Sequence, residues 1–364
     1  MELSKINQKS KTDAVMLMLL NISQQRFTEV LRMESYLSNQ LVEVNQKNFA
    51  HFRETLDAFI KMDKLEIFLF LDVETFDKIS KMLRPVVCSK FDNDLRLAVI
   101  LIFLTKGVSQ NAIALWSGIS QPSISRILRQ GFDDICEKFG ETIKWPTAEQ
   151  IAYQQDLTKN KIPSFGQIDG KLWYVNRPPG TGTLNMSYKS RFAFNSLFVV
   201  DNEARIIYIQ LSKNGCHSDG QMFNAGPISK LLEKKQNFPP PIKHHEHFIC
   251  DSFLLGDGGF ALTPQLLVPF RQTELNPEKD MFNKHLSNQR VLVENLFGRI
   301  TQKFRLFNRP LDLDMTQNQL AVIAASVIYN SQFGEPGTLP ILTTNHVAPR
   351  ESGKLFRQRL HEKL

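Results

Sequence analysis

The sequence predicts an α/β chain: an all-α N-terminal part followed by a domain built on a mixed sheet. Two observations carry this. The first 65 residues contain no proline or glycine, and their apolar residues recur at spacings of three and four. From residue 164 the pattern changes to three strand-like segments in succession, then a helix, short strands and more helices. That order lacks the regular alternation of a doubly wound fold, so a mixed sheet with helices against it is expected.

Along the chain, residues 1–70 form an N-terminal helical region. Phe27, Val30, Leu31, Leu37, Leu41 and Val44 make its apolar stripe, which suits a bundle or a short coiled coil. A second helical unit, 71–146, opens with Val73–Leu83, which must stop before Pro85. Leu95–Lys106 is an apolar helix ended by Gly107. Ser109 caps a helix through Trp116, Gly118 breaks it, and Ser120 caps the next, whose first turn accepts Pro122. The mixed-sheet domain spans 147–335. Its first strands are Phe165–Val175, Phe192–Val200 and Arg205–Leu211, the last two joined by the turn Asp201-Asn202-Glu203-Ala204. A helix follows near Asp219–Lys235, and the Pro239–Pro241 run with its histidines is a loop. Phe253–Leu255 and Leu266–Phe270 are short buried strands, and Asn288–Phe307 and Met315–Phe333 are helices. Residues 336–364 are a C-terminal basic tail with an amphipathic stretch at Lys354–Lys363.

Composition narrows the function. Among 364 residues, 44 Lys and Arg against 37 Asp and Glu leave a net charge of +7, which suggests an acidic partner, nucleic acid first. The four cysteines, Cys88, Cys136, Cys216 and Cys250, form no C-x-x-C pair, which excludes a zinc ribbon or a disulfide scaffold and fits a reducing compartment. The longest apolar runs, such as Leu97–Leu104, fall far short of the roughly 20 residues a spanning helix needs. Ala14–Leu20 follows Asp13 and has no small-residue cleavage site after it, so it does not read as a signal peptide.

Within 71–146, Ala114, Gly118, Ile124 and Ile127 fall at relative positions 0, +4, +10 and +13. A helix-turn-helix needs this pattern: a small residue at the crossing, a turn glycine and apolar anchors on the second helix. Gln121, Ser123, Ser125, Arg126 and Arg129 then face solvent, where hydroxyls and amides reach base edges and arginines reach phosphates or guanine. The bland alternative is an ordinary helical pair, or a dimerisation or protein-docking surface.

Metal-dependent phosphodiester chemistry needs carboxylates converging from distant parts of a chain onto two divalent ions. Asp169 lies in the first strand, Asp257 ends the short strand at Phe253–Leu255, and Glu294 lies on the helix whose stripe is Val293, Phe297, Ile300 and Phe304. Singly, an Asp before Gly is usually a turn and a helical Glu a solvated face. Together, strand end, strand end and helix make the arrangement of an RNase H-like nuclease.

These residues bring the chain to a family. It resembles the PIF/Harbinger transposases and the Harbinger transposase-derived nucleases, a branch of the DDE superfamily. The resemblance is carried by Gly166-Gln-Ile-Asp-Gly170, Leu254-Leu-Gly-Asp-Gly-Gly-Phe260 and Arg290-Val-Leu-Val-Glu-Asn-Leu-Phe-Gly-Arg-Ile300, with Tyr188-Lys189 and Gly215-Cys-His-Ser-Asp219 between them. Upstream, the helix around Thr75-Phe76 and Ile143-Lys144-Trp145-Pro146 resemble the family's N-terminal region, so the likeness covers roughly residues 70 to 335. It implies an RNase H-like catalytic domain behind a helix-turn-helix. It also implies a catalytic and metal-binding triad on Asp169, Asp257 and Glu294, and Mg²⁺ or Mn²⁺, two ions, as cofactor. The substrate implied is DNA, with a separate Myb/SANT-like DNA-binding partner that aids nuclear entry. Three positions depart from the family. Lys171 stands where a small polar residue is more frequent, Leu197 replaces a polar residue, and Gly259-Phe260 replaces Gly-Tyr.

Other features were weighed. His244–His247 with Cys250 follows three prolines and reads as a solvated loop before it reads as a metal site. Asp219 reads first as a helix cap and, by the resemblance, as a neighbour of the site. Asp201 reads as a turn residue, and Asp251 precedes the buried strand instead of ending it. Residues 290–309 hold five basic side chains against one acid. Arg290, Arg299 and Lys303, with Lys189, are therefore candidate phosphate contacts. The reading is a nuclear, Mg²⁺-dependent DNA endonuclease, with homo-oligomerisation open, the cytoplasm as second compartment, and no membrane association. The first rival is a domesticated, non-cutting DNA- or chromatin-binding adaptor derived from a Harbinger transposase. The second is a metal-independent hydrolase that uses two carboxylates as acid and base.

Overall fold

The computed structural model describes residues 32, 40–85, 91–180, 183–212, 214–244, 248–338, 353–354 and 357–358. Ala14–Leu20, most of the N-terminal stripe, Cys88, His245–His247 and most of the 336–364 tail lie outside the described residues.

Twelve labelled helices and seven strands are described. Helix α1 covers 40–61. Its apolar stripe does not continue as expected: Leu41 and Val44 are exposed, and the helix buries Phe52 and Leu56 in its second half. Then come α2 (Leu65–Leu69) and α3 (Val73–Ser80), which Asp72 caps by accepting from the Thr75 amide. Helix α4 (Asn93–Lys106) is buried along nearly its whole length, which its almost unbroken apolar sequence requires. It ends at Gly107, whose φ of +64° only glycine adopts freely, and a Cβ there would lie 2.9 Å from the Arg305 carbonyl.

Helix α5 (Gln110–Ser117) is capped by Ser109 and stopped by Gly118. Helix α6 (Gln121–Glu137) has Pro122 in its first turn. Gly118 is doubly constrained, with φ +66° and the Asn45 carbonyl oxygen only 2.0 Å from where a Cβ would stand. Ser120 does not cap α6 as expected, because its hydroxyl meets that of Ser123 instead, at 2.9 Å. Beneath α6, Asp134 and Arg96 are both only 2% exposed and are paired at 3.2 Å. The short α7 (Phe139–Thr142) and α8 (Ala148–Leu157), with its Thr147–Gln150 capping box, lead into the sheet.

The strands are β1 (Gly166–Tyr174), β2 (Ala193–Val200) and β3 (Ile206–Leu211). After them come α9 (Asp219–Ala225), α10 (Pro227–Glu233), β4 (Ile242–His244), β5 (Phe248–Cys250), β6 (Leu254–Leu255), β7 (Leu266–Leu267), α11 (Pro277–Lys303) and α12 (Met315–Asn330). Five strands form a mixed sheet in the order β3-β2-β1-β6-β7. The three strands on the β3 side are antiparallel, whereas β1–β6 and β6–β7 are parallel.

Three expectations change. The helix near Asp219–Lys235 is two helices, because Pro227 has no amide to continue the first. The segment after Pro239–Pro241 is an antiparallel hairpin, β4–β5, and not a loop. Helix α11 starts eleven residues earlier than Asn288, at Pro277, where proline fits the first turn and Asn276 accepts from the Lys279 amide.

The sheet alternation sorts the layers. Ile168, Leu197 and Val199 pack with Met222, Phe223 and Ile228 of α9 and α10. Trp173, Phe194 and Phe198 pack on the other face with Val293, Phe297 and Ile300 of α11 and with α12. That second core runs on without interruption into α1, α4 and α6, so the N-terminal helices rest directly on the sheet's α11–α12 layer. Among the described residues no helix is long and apolar enough to cross a membrane.

Candidate active site

Strand register brings two of the acids together. In the parallel pair, Gln167 stands opposite Leu255. Two residues further on each side lie Asp169, still within β1, and Asp257, in the loop after β6, and the charge of Asp257 acts on Asp169. The loop carrying Asp257 is folded tightly: Asp257 Oδ1 accepts from the Gly259 amide at 2.9 Å. That loop is pressed against the start of α9, where a Cβ at Gly220 would lie 2.7 Å from the Gly259 carbonyl oxygen.

The third acid arrives from α11. Gln289 anchors this helix to the segment before β1, its Nε2 donating to the Ile162 carbonyl at 2.7 Å. The next residue, Arg290, is turned inward and only 12% exposed. Its Nη2 lies 3.5 Å from Asp169 Oδ2 and 4.0 Å from Glu294 Oε1, so those oxygens are at most 7.5 Å apart, the sum of the two contacts. Glu294 itself is 58% exposed, one helical turn from Phe297, which packs edge-on against Phe198 of β2. Thus the β6 loop and α11 each bring an acid, Asp257 and Glu294, near Asp169 of β1.

The electrostatics follow from this crowding. Burial pushes the Asp169 carboxyl up to about 6; Arg290 and the Gly170 amide pull it down, while the charges of Asp257 and Asp219 push it further up. Asp219 does not cap α9, which Ser218 does; it stands near the site, as the resemblance implies. It approaches from the opposite face of β1, beneath Gly170, where a Cβ would stand 2.0 Å from its Oδ1. Asn195 Nδ2 donates to that same oxygen at 2.8 Å. Burial raises its carboxyl above the ordinary range, the Asn195 bond opposes, and Asp257 adds to the rise. The available signal for it was the glycine after Asp169, which is needed for space and not for φ.

On Asp169's own face, two residues along, Lys171 holds its ammonium 5.2 Å from the Trp173 ring centre and 5.4 Å from that of Phe297. Burial lowers its pKa, Lys189 lowers it further, and Asp169 opposes. Lys189 in turn lies 5.5 Å from the ring centre of exposed Tyr188.

The other basic residues divide. Arg299 and Lys303 lie about 140° and 180° round α11 from Glu294, at 100° per residue. Arg299 hydrogen-bonds Tyr329 of α12. Lys303 donates to Gln332, and burial takes it down to about 8 against the pull of Glu66 and Asp72. Lys303 therefore sits at the junction with the helical part, whereas Arg299 stays exposed. On α6, Gln121, Arg126 and Arg129 are exposed and Ser123 and Ser125 half-buried. Gln121 donates to Gln110 at 2.8 Å, and Arg129 lies 3.8 Å from Asp314. Asp201 is a turn residue, its Oδ1 accepting from the Glu203 and Arg205 amides, and Asp251 pairs with Lys235.

The donor set suits a hard divalent cation: carboxylate oxygens only, with mutual repulsion that a 2+ charge would relieve. Among the described residues no three His, Cys, Asp or Glu side chains already converge as a finished cage. Arg290 stands between two of the acids.

Residues 168–330, which contain all three acids, match the family model described as DDE superfamily endonuclease. The chain is 23% identical over 217 residues to the protein ALP1-like of Arabidopsis thaliana, covering 58% of this chain and 53% of that protein. It is 22% identical over 284 residues to the candidate nuclease HARBI1 of Xenopus laevis, covering 72% and 77% of the two chains. Against the HARBI1 of Homo sapiens the identity is 22% over 238 residues, covering 63% and 64%. The chain thus spans about half the length of the plant relative and between 64% and 77% of these two HARBI1 proteins. No solved structure matches it.

Proposed function

From a chain that carries a DDE superfamily endonuclease domain and is homologous to Harbinger transposase-derived nucleases, we propose a metal-dependent DNA endonuclease. Its sheet is read as RNase H-like, and Asp169, Asp257 and Glu294 hold divalent ions, Mg²⁺ or Mn²⁺. One observation supports this most: the carboxylate of Asp169 feels the charge of Asp257 and shares Arg290 with Glu294. When bound, such ions lower the pKa of an attacking water and offset charge on the leaving 3′ oxygen.

The chain's own groups do the rest. Asp169 gives up its proton near pH 6, because burial holds it back until then. Lys171, kept from water between two rings, attracts a phosphate more strongly than a solvated lysine would. Helices α5 and α6 are read as a helix-turn-helix, with Gln121, Ser123 and Ser125 toward base edges and Arg126 and Arg129 toward phosphates. The same proposal assigns the chain to the nucleus, beside a Myb/SANT-like DNA-binding partner.

Plasmid nicking in Mg²⁺ tests the reading, with Asp257→Ala as control. Cleavage by the wild type that the variant loses is the expected result. Intact DNA with both proteins, while both still bind it, would make the chain a non-cutting DNA-binding adaptor. Turnover that EDTA leaves unchanged would favour a metal-independent hydrolase.

A further inference from the structure

Arg96 and Arg290 are both inward-turned beside acids, and they differ. Arg96 is saturated: Nη1 donates to the Arg84 carbonyl at 2.8 Å and to Asn93 Oδ1 at 2.9 Å, and Nη2 to Asp134 at 3.2 Å. That is how a structural arginine satisfies its five donors. Arg290 is also turned inward, at 12% exposed, yet its contacts are the long ones, 3.5 Å to Asp169 and 4.0 Å to Glu294, outside hydrogen-bond geometry. Its Nε is buried without any partner. A guanidinium held this loosely among carboxylates is a counter-charge and not a strut.

We propose that Arg290 is a positioning residue that trades partners. Without metal it stands between Asp169 and Glu294 and offsets their charge; when divalent ions take those carboxylates, it swings to a phosphate of bound DNA. The inference rests on the reading of Asp169, Asp257 and Glu294 as ion ligands. Arg290 cannot make room by losing its proton, so a second cation between the same oxygens must displace it. A planar fork with an unused Nε then matches two phosphate oxygens better than any group now near it. Ion binding and DNA binding are thereby coupled through one side chain, and each strengthens the other.

The test is Mn²⁺ binding to the full chain, followed by the loss of free-ion electron paramagnetic resonance signal, without DNA and with a short duplex. Wild type, Arg290→Gln and Arg290→Lys are compared, with thermal melting to show that each is folded. Without DNA, Arg290→Gln binds Mn²⁺ about tenfold tighter than wild type or more, since a competing unit charge within about 4 Å of the oxygens is gone. Duplex DNA tightens Mn²⁺ binding by wild type and leaves that of Arg290→Gln nearly unchanged. Arg290→Lys keeps the charge but not the fork, so it retains the wild-type Mn²⁺ affinity without DNA and loses the enhancement. Should Arg290→Gln not fold, Arg290→Lys with an undiminished enhancement overturns the proposal alone. Folded Arg290→Gln binding Mn²⁺ no better than wild type also overturns it, while leaving the nuclease reading in place. Wild type that binds no Mn²⁺ removes that reading and this inference together.

Discussion

Replacing Asp169 with Asn should make the metal-free protein more stable at neutral pH and no more stable in acid. The folded protein raises this carboxyl from 3.8 to about 6. A rise means that the folded state binds the proton more firmly than the unfolded state does. Below the lower value both states are protonated and nothing is lost. Between the two values stability falls as pH rises, and above about 6 the whole cost of the buried charge is present. At about 1.4 kcal/mol per pKa unit, roughly two units set a ceiling of about 3 kcal/mol. The attraction of the carboxylate to Arg290 is already contained in that rise, so the gain expected near pH 7.5 is at most about 3 kcal/mol. Urea unfolding of both proteins in EDTA, near pH 7.5 and near pH 3.5, measures it. Asp201 is also raised to about 6, but it is common to both proteins and cancels in the difference. A variant no more stable than wild type near pH 7.5, or an equal gap at both pH values, would refute the argument. With Mn²⁺ present the order should reverse, because only the wild type gains by binding.

Other perturbations read other parts of the molecule. Asp134→Ala leaves Arg96 charged and buried without its carboxylate, and should cost about 3–5 kcal/mol in urea unfolding. Gly170→Ala drives a methyl into Asp219 and breaks its Asn195 bond at a cost of about 1–2 kcal/mol. Adding Asp219→Gly should recover most of that loss, whereas additive losses would mean that the two positions do not meet. Removing Arg126 and Arg129 together should weaken DNA binding and reduce the salt dependence of its log affinity by about two; an unchanged slope would take α6 out of the DNA interface.

The secondary structure was legible wherever local chemistry decided it. Gly107 after an apolar run, Ser109 before Gln110 and the turn at Asp201–Ala204 each act through their own backbone. The start of α11 was legible too, since Asn276-Pro277 is a cap followed by a first-turn proline, but the apolar stripe further on drew attention away from it. The broken helix at Gly226-Pro227 carried the same kind of signal. Of the site, the place of Asp257 just after a short buried strand could be read from the apolar run before it, whereas Asp169 lies within β1 and not at its end as expected. The inward turn of Arg290 depends on how segments far apart in sequence pack, and no local pattern encodes that. Counting charge along 290–309 placed Arg299 and Lys303 with Glu294; helical rotation carries them to the far side, against Tyr329 and Gln332.

The central claim is that the acids of β1, the β6 loop and α11 form one ion-binding site. Anomalous diffraction from crystals soaked in Mn²⁺ addresses it directly. The account predicts manganese bonded to oxygens of both Asp169 and Asp257, with Glu294 drawn in and Arg290 moved out from between the carboxylates. Manganese absent from those carboxylates, or Asp257 and Glu294 oxygens standing more than about 10 Å from Asp169, too far for ions that bridge neighbouring oxygens, would contradict it.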